Sequence, residues 1–250
     1  MAQPQGFEDP SRPNHVCRLH KALDGLKQAP RAWFNKLKQH LITRGFRACQ
    51  SDTSLFVHSY AITTIYILVY VDDLIITGSH SQLVQKFITD LNRTFALKDL
   101  GDLNYFLGIH IARSPSGITL SQHNYIIDVL AWSKMLDSKP ISTHGDPSSR
   151  LTLWGDAFSD PKLYRQIVGS LQYATITRPE IAYAVNCVCQ YMHAPTSLHW
   201  QAVKRILRYL KCTLHHMLHF QPTSASSLLA YSDVGWVSDS TALSRGNVYK

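Results

Sequence analysis

Apolar residues recur along the chain with two different periods, and each period predicts a different kind of element. Trp33, Leu37 and Leu41 lie four residues apart, which places them on one face of an amphipathic helix that ends at Gly45. Residues 62–70 form an apolar stretch rich in β-branched and aromatic side chains, a composition typical of a strand. The chain is therefore expected to combine helices and strands in an α+β fold.

Turn residues separate several further elements of the same two kinds. They are strands at 54–57 and 74–77, a helix at 83–95, and a hairpin of strands at 105–112 and 118–120. A tight turn at 71–73 joins the strand at 62–70 to the one that follows it. These two strands are therefore predicted to form a first hairpin.

A change in composition divides the chain into an early and a late part. Residues 136–160 are rich in Ser, Pro, Gly and Asp, and we interpret them as a linker. Beyond them the apolar pattern is helical. Thr177 and Glu180 have the spacing of a capping box, and Ser197 is positioned to cap the last helix. The α+β part and the helical part are predicted to be separate domains.

The overall composition narrows the class of protein only slightly. Lys and Arg number 25 against 17 Asp and Glu, and the net charge of +8 fits either a polyanionic partner or an ordinary basic protein. The five cysteines include no Cys-x-x-Cys, so neither a disulfide framework nor a zinc site is indicated. The first 15 residues lack a signal-peptide pattern, and the longest apolar stretch is too short to span a bilayer. We expect an intracellular protein that is neither secreted nor embedded in a membrane.

Two adjacent carboxylates, Asp72 and Asp73, follow the strand at 62–70 directly. Paired carboxylates concentrate negative charge, which a divalent cation would offset, and hard oxygen ligands suit Mg²⁺. A solvated turn is the alternative, because Asp is a common turn residue. The dipeptide taken alone favours the solvated turn.

Five segments of the chain, in this order, carry a resemblance to a known family. They are LDGLKQAPRAW at 23–33, YVDDLIITG at 70–78, LGDLNYFLGIHI at 100–111, YRQIVGSLQYATITRPEIAYAV at 164–185 and HWQAVKRILRYLK at 199–211. Together they resemble the reverse transcriptase of copia-type long-terminal-repeat retrotransposons, and the resemblance extends over residues 1–236.

The resemblance implies the fold of a right-handed polymerase with an α+β core. Residues 1–135 would form part of the fingers and palm, and residues 136–160 the linker. Residues 161–215 would form a helical thumb or connection, and residues 224–250 an amino-terminal fragment of RNase H.

The resemblance also implies the chemistry of the first hairpin. Asp72 and Asp73 match the palm aspartates that are catalytic and bind two Mg²⁺ ions. A segment before it resembles the part of the fingers and palm that contacts the incoming nucleotide and the template base. The residues that match are Gly25, Lys27, Gln28 and Pro30. For Lys27 and Gln28, a solvated turn is the alternative.

Further matches concern the primer and the duplex. Phe106, Leu107 and Gly108 resemble the primer grip, the turn that holds the 3′ end of the primer. For Phe106 and Leu107, a place in the core of an edge hairpin is the alternative. The residues matched to duplex binding are Gly169 and Tyr173 on the thumb helix and the basic residues Lys204, Arg205, Arg208 and Lys211. Close approach of another helix is the alternative for Gly169, and a solvated helix face is the alternative for the basic residues.

By resemblance, the function is that of an RNA-directed DNA polymerase, a nucleotidyltransferase. Its partners would be an RNA/DNA template–primer duplex, deoxynucleoside triphosphates and the other parts of a Pol polyprotein, including integrase and RNase H. The family works in a cytoplasmic particle or in the nucleus. The sequence does not indicate an oligomeric state.

Three departures from the family pattern predict that these residues are incomplete and inactive as given. The family's third palm carboxylate lies in a strand Asp-Val-x-x-Ala-Phe, and the 250 residues contain no such strand. Asp24 stands where the family usually has Tyr. Asp233 matches the first RNase H acid, but Gly235 stands in place of the next one. The alternative is a non-catalytic nucleic-acid-binding remnant or a pseudogene product.

Overall fold

The computed structural model describes residues 2–18, 25–95, 97–145 and 151–223. Within these ranges the protein has six α-helices and two four-stranded antiparallel sheets, which confirms the expected α+β class. The chain divides into two compact units, Met1–Leu103 and Asn104–Lys250. No helix in the described ranges combines the length and the apolar character that crossing a membrane would require.

The first unit contains one sheet and two helices. Its elements are α1 (Ala29–Thr43), β1 (Arg47–Ala48), β2 (Leu55–Tyr60), β3 (Thr63–Tyr70), β4 (Asp73–Gly78) and α2 (Ser81–Phe95). The strands lie in the order β1-β2-β3-β4, so each neighbour along the chain is also a neighbour in the sheet. Both predicted helices and the first hairpin are confirmed.

Helix α1 packs its apolar face into the core of the first unit. Leu37 and Leu41 are fully buried, and they join Phe56 of β2 and Ile67 of β3 in one cluster. Gly45, just beyond the helix, has a φ of +87°, which is the left-handed conformation that commonly ends a helix. The four-residue spacing therefore identified the buried face correctly, and Gly45 identified the helix end.

The second unit contains the other sheet and four helices. Its elements are β5 (Tyr105–Phe106), β6 (Ile109–Ser114), β7 (Gly117–Ser121), α3 (His123–Trp132), α4 (Pro161–Ala174), a short 3₁₀ helix (Pro179–Ile181), α5 (Ala182–Cys189), α6 (Ser197–Cys212) and β8 (Leu218–Phe220). The sheet order is β5-β6-β7-β8. Tyr164, Leu171, Val185 and Leu207 lie fully buried where the helices meet.

The boundary between the two compact units follows Leu103 and therefore lies earlier in the chain than the boundary predicted at residue 135. The hairpin β6–β7 belongs to the second unit because β8, from the end of the described chain, pairs with β7. The predicted linker is also packed over its described parts. Ile141, Leu151 and Phe158 lie against the helical core, and Ala157 forms a β-bridge with Thr196. The polymerase names given to these regions stay predictions.

The prediction of a capping box formed by Thr177 and Glu180 is wrong. The Thr177 hydroxyl donates a hydrogen bond of 2.7 Å to Oε1 of Gln122, and the 3₁₀ helix begins at Pro179 without a side-chain cap. Thr177 is buried, so its hydroxyl satisfies a distant buried amide instead of a helix end.

The cap of α6 also differs from the prediction, because Thr196 and not Ser197 precedes the helix. Thr196 and His199 form a reciprocal capping box in which His199 Nδ1 accepts from the Thr196 amide at 2.9 Å. Nε2 therefore carries the ring proton and donates to the Thr152 carbonyl at 2.9 Å. His replaces the usual Glu or Gln of this box, and the usual pattern therefore does not identify it.

Protonation of His199 is expected to destabilise the second unit. Burial of the imidazole is the main cause of a pKa below the usual 6.5. The hydrogen bond to the Thr152 carbonyl opposes this shift but is the smaller effect. Below about pH 6.5 the unfolded chain then binds more protons than the folded chain. The contribution of neutral His199 to the free energy of unfolding is therefore fully present above that pH and is lost as the pH falls. Urea unfolding at about pH 7.5 and about pH 5.5 measures the difference.

His199→Gln provides the control for this prediction. Glutamine can accept from the Thr196 amide as in an ordinary capping box, but it does not titrate. The other titrating groups are common to both proteins, so the variant should lose less stability between the two pH values. Equal losses would show that His199 does not contribute to the pH dependence.

Candidate functional site

The hairpin β3–β4 presents the Asp-Asp pair at a two-residue turn. The strands pair in register from Ile65 opposite Gly78 to Tyr70 opposite Asp73, which leaves Val71 and Asp72 as the turn. Val71 has a φ of +52°, and a β-branched residue in this region carries a cost of about 1–3 kcal/mol. The six-pair ladder holds the turn in this conformation.

The carboxylates of Asp72 and Asp73 are both exposed. Within the described residues neither makes a side-chain hydrogen bond or an ion pair, so their oxygens are available to solvent and to ligands. Mg²⁺ in proteins keeps several waters and is commonly held by one or two carboxylates together with substrate phosphates. The donor set of this hairpin fits that pattern. No group of three or more His, Cys, Asp or Glu side chains placed to hold a metal occurs in the described part of the chain.

The last residue of the YVDDLIITG segment has a steric role. A Cβ on Gly78 would lie 2.7 Å from the Thr64 carbonyl oxygen and 2.9 Å from Cγ2 of Val84. Gly78 therefore allows the end of β4 to pass close to β3 and the start of α2. Gly78 pairs with Ile65 at the end of the hairpin opposite the turn that carries the two aspartates, so its role is in packing and not in the candidate site.

The segment matched to nucleotide binding leads into α1. Gly25 has a φ of +82°, Gln28 is the residue preceding the helix, and Pro30 lies in its first turn. Lys27 and Gln28 are exposed, and Gln28 makes no side-chain cap to the helix. The structure thus gives Pro30 a helix-initiating position and leaves both polar side chains accessible. Asp24 lies outside the described residues.

The predicted primer-grip residues form the turn between β5 and β6. Phe106 pairs with Ile109, so Leu107 and Gly108 are the two central residues, with φ of +50° and +79°. Positive φ at both positions is the signature of a type I′ hairpin turn. Leu107 is 41% exposed, whereas Phe106 is half-buried.

The structure brings this turn together with the predicted duplex-binding helix. The hydroxyl of Tyr173, on α4, donates a hydrogen bond to the Leu107 carbonyl. The Tyr125 ring lies edge-on to the Tyr173 ring, with centroids 5.1 Å apart. Gly169 is one turn earlier on α4, and apart from its chain neighbours and the backbone of its own helix no atom of the described residues lies within 4 Å of the position that its Cβ would occupy. Close approach of another helix therefore does not explain this glycine within the described part of the chain.

The basic residues of α6 meet the segment at 138–143. Three of the four donate hydrogen bonds to it, each between 2.6 and 2.7 Å: Arg205 to the Thr143 hydroxyl, Arg208 to the Lys139 carbonyl and Lys211 to the Ser138 carbonyl. All four are half-buried. Lys204 makes no hydrogen bond or ion pair within the described residues. The pattern of charges on the helix could not reveal the acceptors, because Arg208 and Lys139 are 69 residues apart.

Sequence reasoning missed Arg178, the largest fully buried side chain of the described residues. Only 1% of it is exposed, and its guanidinium group donates to the Thr213 carbonyl at 3.0 Å and to the Thr213 hydroxyl. Nε and Nη2 each lie 2.7 Å from Oε1 of Glu180. The only signal was its place between Thr177 and Pro179 in a conspicuous turn. Asp233 and Gly235, matched to RNase H, lie outside the described residues.

Comparison with known proteins gives a consistent result. Residues 1–145 match the family described as reverse transcriptase (RNA-dependent DNA polymerase). The chain is 50% identical over 240 residues to the retrovirus-related Pol polyprotein from transposon RE1 of Arabidopsis thaliana, which is 96% of this chain and 16% of that relative. It is 37% identical over 250 residues to the corresponding polyprotein from transposon TNT 1-94 of Nicotiana tabacum, covering 96% of this chain and 19% of the relative.

A shorter relative shares most of its length with this chain. The putative transposon Ty5-1 protein YCL074W of Saccharomyces cerevisiae is 31% identical over 245 residues, which is 93% of this chain and 77% of that protein. No solved structure matches the chain significantly. The chain spans about a sixth of the length of the Arabidopsis polyprotein. The matched region includes the hairpin that carries both aspartates, and the chain belongs to the reverse transcriptase family of copia-type retrotransposon Pol polyproteins.

Proposed function

We propose that this chain is a portion of the Pol polyprotein region that synthesises DNA on an RNA template, with Asp72 and Asp73 as ligands of two Mg²⁺ ions. The observation that carries the proposal is the β3–β4 turn, which exposes two adjacent carboxylates without protein partners in the described residues. The φ of +52° at Val71 is unfavourable for a β-branched residue, and such strain clusters at functional sites, which supports a functional turn over a merely solvated one.

In this proposal the residues of the chain bind and orient, and the ions supply the electrophilic chemistry. When bound, Mg²⁺ stabilises the charge that develops on the transferring phosphoryl group. Asp72 and Asp73 hold it at the end of a rigid hairpin. Lys27 and Gln28 contact the incoming nucleotide or template base, and the Leu107–Gly108 turn contacts the primer. The partners are a template–primer duplex and deoxynucleoside triphosphates.

We further propose that these 250 residues do not catalyse the reaction by themselves. The family uses three palm carboxylates, and the hairpin provides two of them. The third would come from a palm strand of the kind Asp-Val-x-x-Ala-Phe. Among the cations of α6, Lys204 is the side chain that we propose for phosphate contact, because its neighbours bind the segment at 138–143.

Primer extension on an RNA template tests the proposal. The 250-residue chain is compared with the same chain preceded by the palm segment of a related element. The chain alone should extend the primer no better than a blank, and the longer protein should form template-directed DNA in Mg²⁺. If the longer protein binds the duplex but makes no DNA, the chain is a nucleic-acid-binding remnant. Extension by the 250 residues alone would mean that another acid completes the site.

A further inference from the structure

The turn between β5 and β6 has a backbone that its own residues do not favour. Leu107 adopts a φ of +50°, a region that L residues with bulky side chains rarely occupy. Type I′ turns prefer Asn, Asp or Gly at this first central position. The conformation therefore depends on contacts from outside the hairpin.

Two tyrosines provide these contacts within the second unit. The Tyr173 hydroxyl binds the Leu107 carbonyl, which is the acceptor at the centre of the turn. Tyr125, on α3, supports Tyr173 from the side, with its ring plane at 80° to that of Tyr173. The Tyr125 hydroxyl donates at 3.1 Å to the carbonyl of Ser170, on the same helix as Tyr173. Each tyrosine thus has its ring and its hydroxyl engaged.

Both tyrosine rings lie on the side of the turn to which a Gly108 side chain would point. A Cβ at this residue would lie 3.9 Å from Cδ2 of Tyr125 and 3.9 Å from Cε1 of Tyr173. This is ordinary contact distance for an added methyl group, so the rings lie beside the turn and leave room for a Cβ at Gly108. The hydrogen bond from Tyr173 is the contact that fixes the Leu107 carbonyl.

We infer that Tyr173 is a positioning residue, which orders the 3′ end of the primer by fixing the Leu107–Gly108 turn and does not itself contact the duplex. This inference rests on the proposed function. It changes the role that resemblance gave to Tyr173, because a hydroxyl that donates to a backbone carbonyl has no second proton to donate to a nucleotide. Tyr125 acts behind Tyr173 by holding its ring.

The test uses the 250-residue chain and a primer–template duplex that carries 2-aminopurine as the last base of the primer. Tyr173→Phe removes the hydroxyl and keeps the ring. A net hydrogen bond changes an equilibrium by roughly 2- to 10-fold, so the ordered population of the terminal base should fall by about that factor. The fluorescence of the bound terminal base should change, whereas 2-aminopurine placed inside the duplex should not respond. The dissociation constant of the Tyr173→Phe variant for the duplex should stay within about twofold of that of the unmodified chain.

Two further variants make the result specific. Tyr183→Phe is the control, because Tyr183 lies on α5 and is 79% exposed, and it should leave both probes unchanged. Gly108→Ala perturbs the turn itself, because a φ of +79° is sterically unfavourable for alanine. If Tyr173 acts through the turn, Gly108→Ala and Tyr173→Phe combined should have no larger effect than the stronger single change.

The possible outcomes separate this inference from the proposed function. Failure of the unmodified chain to bind any duplex would overturn the proposed function and the inference together. Duplex binding with the same terminal fluorescence in Tyr173→Phe would overturn the inference alone. Additive effects of the two substitutions would also overturn it, because they would indicate direct contact between Tyr173 and the duplex.

Discussion

Replacing Asp72 with Asn is expected to lower primer extension by about 10³-fold or more in the protein that carries all three palm carboxylates. Asparagine keeps the size of the side chain but removes its charge, and a neutral amide is a poor ligand for Mg²⁺. The loss of several kcal/mol of charge stabilisation in the transition state corresponds to a rate effect of about this size. Asp73→Asn should behave in the same way, because both carboxylates are exposed at the same hairpin end.

Single-turnover extension at saturating Mg²⁺ is the appropriate measurement, because it separates the chemical step from duplex binding. Asp128→Asn is the matched control, since this residue is also an exposed aspartate but lies on α3. It should leave the rate unchanged. A decrease of less than about tenfold in either hairpin variant would argue against direct metal binding by that residue.

Replacing Arg178 with Met is expected to destabilise the second unit by about 3 kcal/mol. The guanidinium group is 1% exposed and binds both the carbonyl and the hydroxyl of Thr213, at the end of α6. Methionine fills much of the volume but removes the guanidinium donors of the Thr213 hydroxyl and carbonyl, and among the described residues the carbonyl keeps only its hydrogen bond of 3.0 Å from the His216 amide. The substitution also leaves Glu180, whose side chain is 35% exposed, without its cation.

Hydrogen exchange of the α6 amides measures this effect, because it reports the opening of one unit without assuming that both unfold together. Arg165→Met is the control. Arg165 is exposed on α4 and makes a single hydrogen bond of 3.5 Å, to the Met192 carbonyl. It should change the opening free energy by less than about 0.5 kcal/mol. A similar small change for Arg178→Met would mean that the buried guanidinium adds no net stability.

Local features of the fold could be predicted from the sequence because they depend on neighbours along the chain. The β3–β4 hairpin followed from an apolar strand, a short polar turn and a second apolar strand, and the register of Tyr70 opposite Asp73 is consistent with that turn. The face of α1 that carries Leu37 and Leu41 followed from helical spacing.

Features that depend on distant partners could not be predicted in this way. The boundary after Leu103 depends on β8, which returns from residue 218 to pair with β7. The hydrogen bonds from Arg208 and Lys211 go to backbone carbonyls, which any residue possesses, so composition carries no signal for them. Tyr173 was selected through resemblance, but its bond to the Leu107 carbonyl follows only from the three-dimensional arrangement.

The left-handed backbone of Val71 has a consequence for how this hairpin can change over generations. Glycine or asparagine at position 71 would relieve the unfavourable φ, so either substitution would make the hairpin easier to form. A lineage selected only for a stable fold would therefore drift away from valine at this site. If intact copies of such elements keep a β-branched residue here, selection for the placement of the neighbouring acids is the explanation that we expect. Comparing this position between intact and decayed copies would test that expectation.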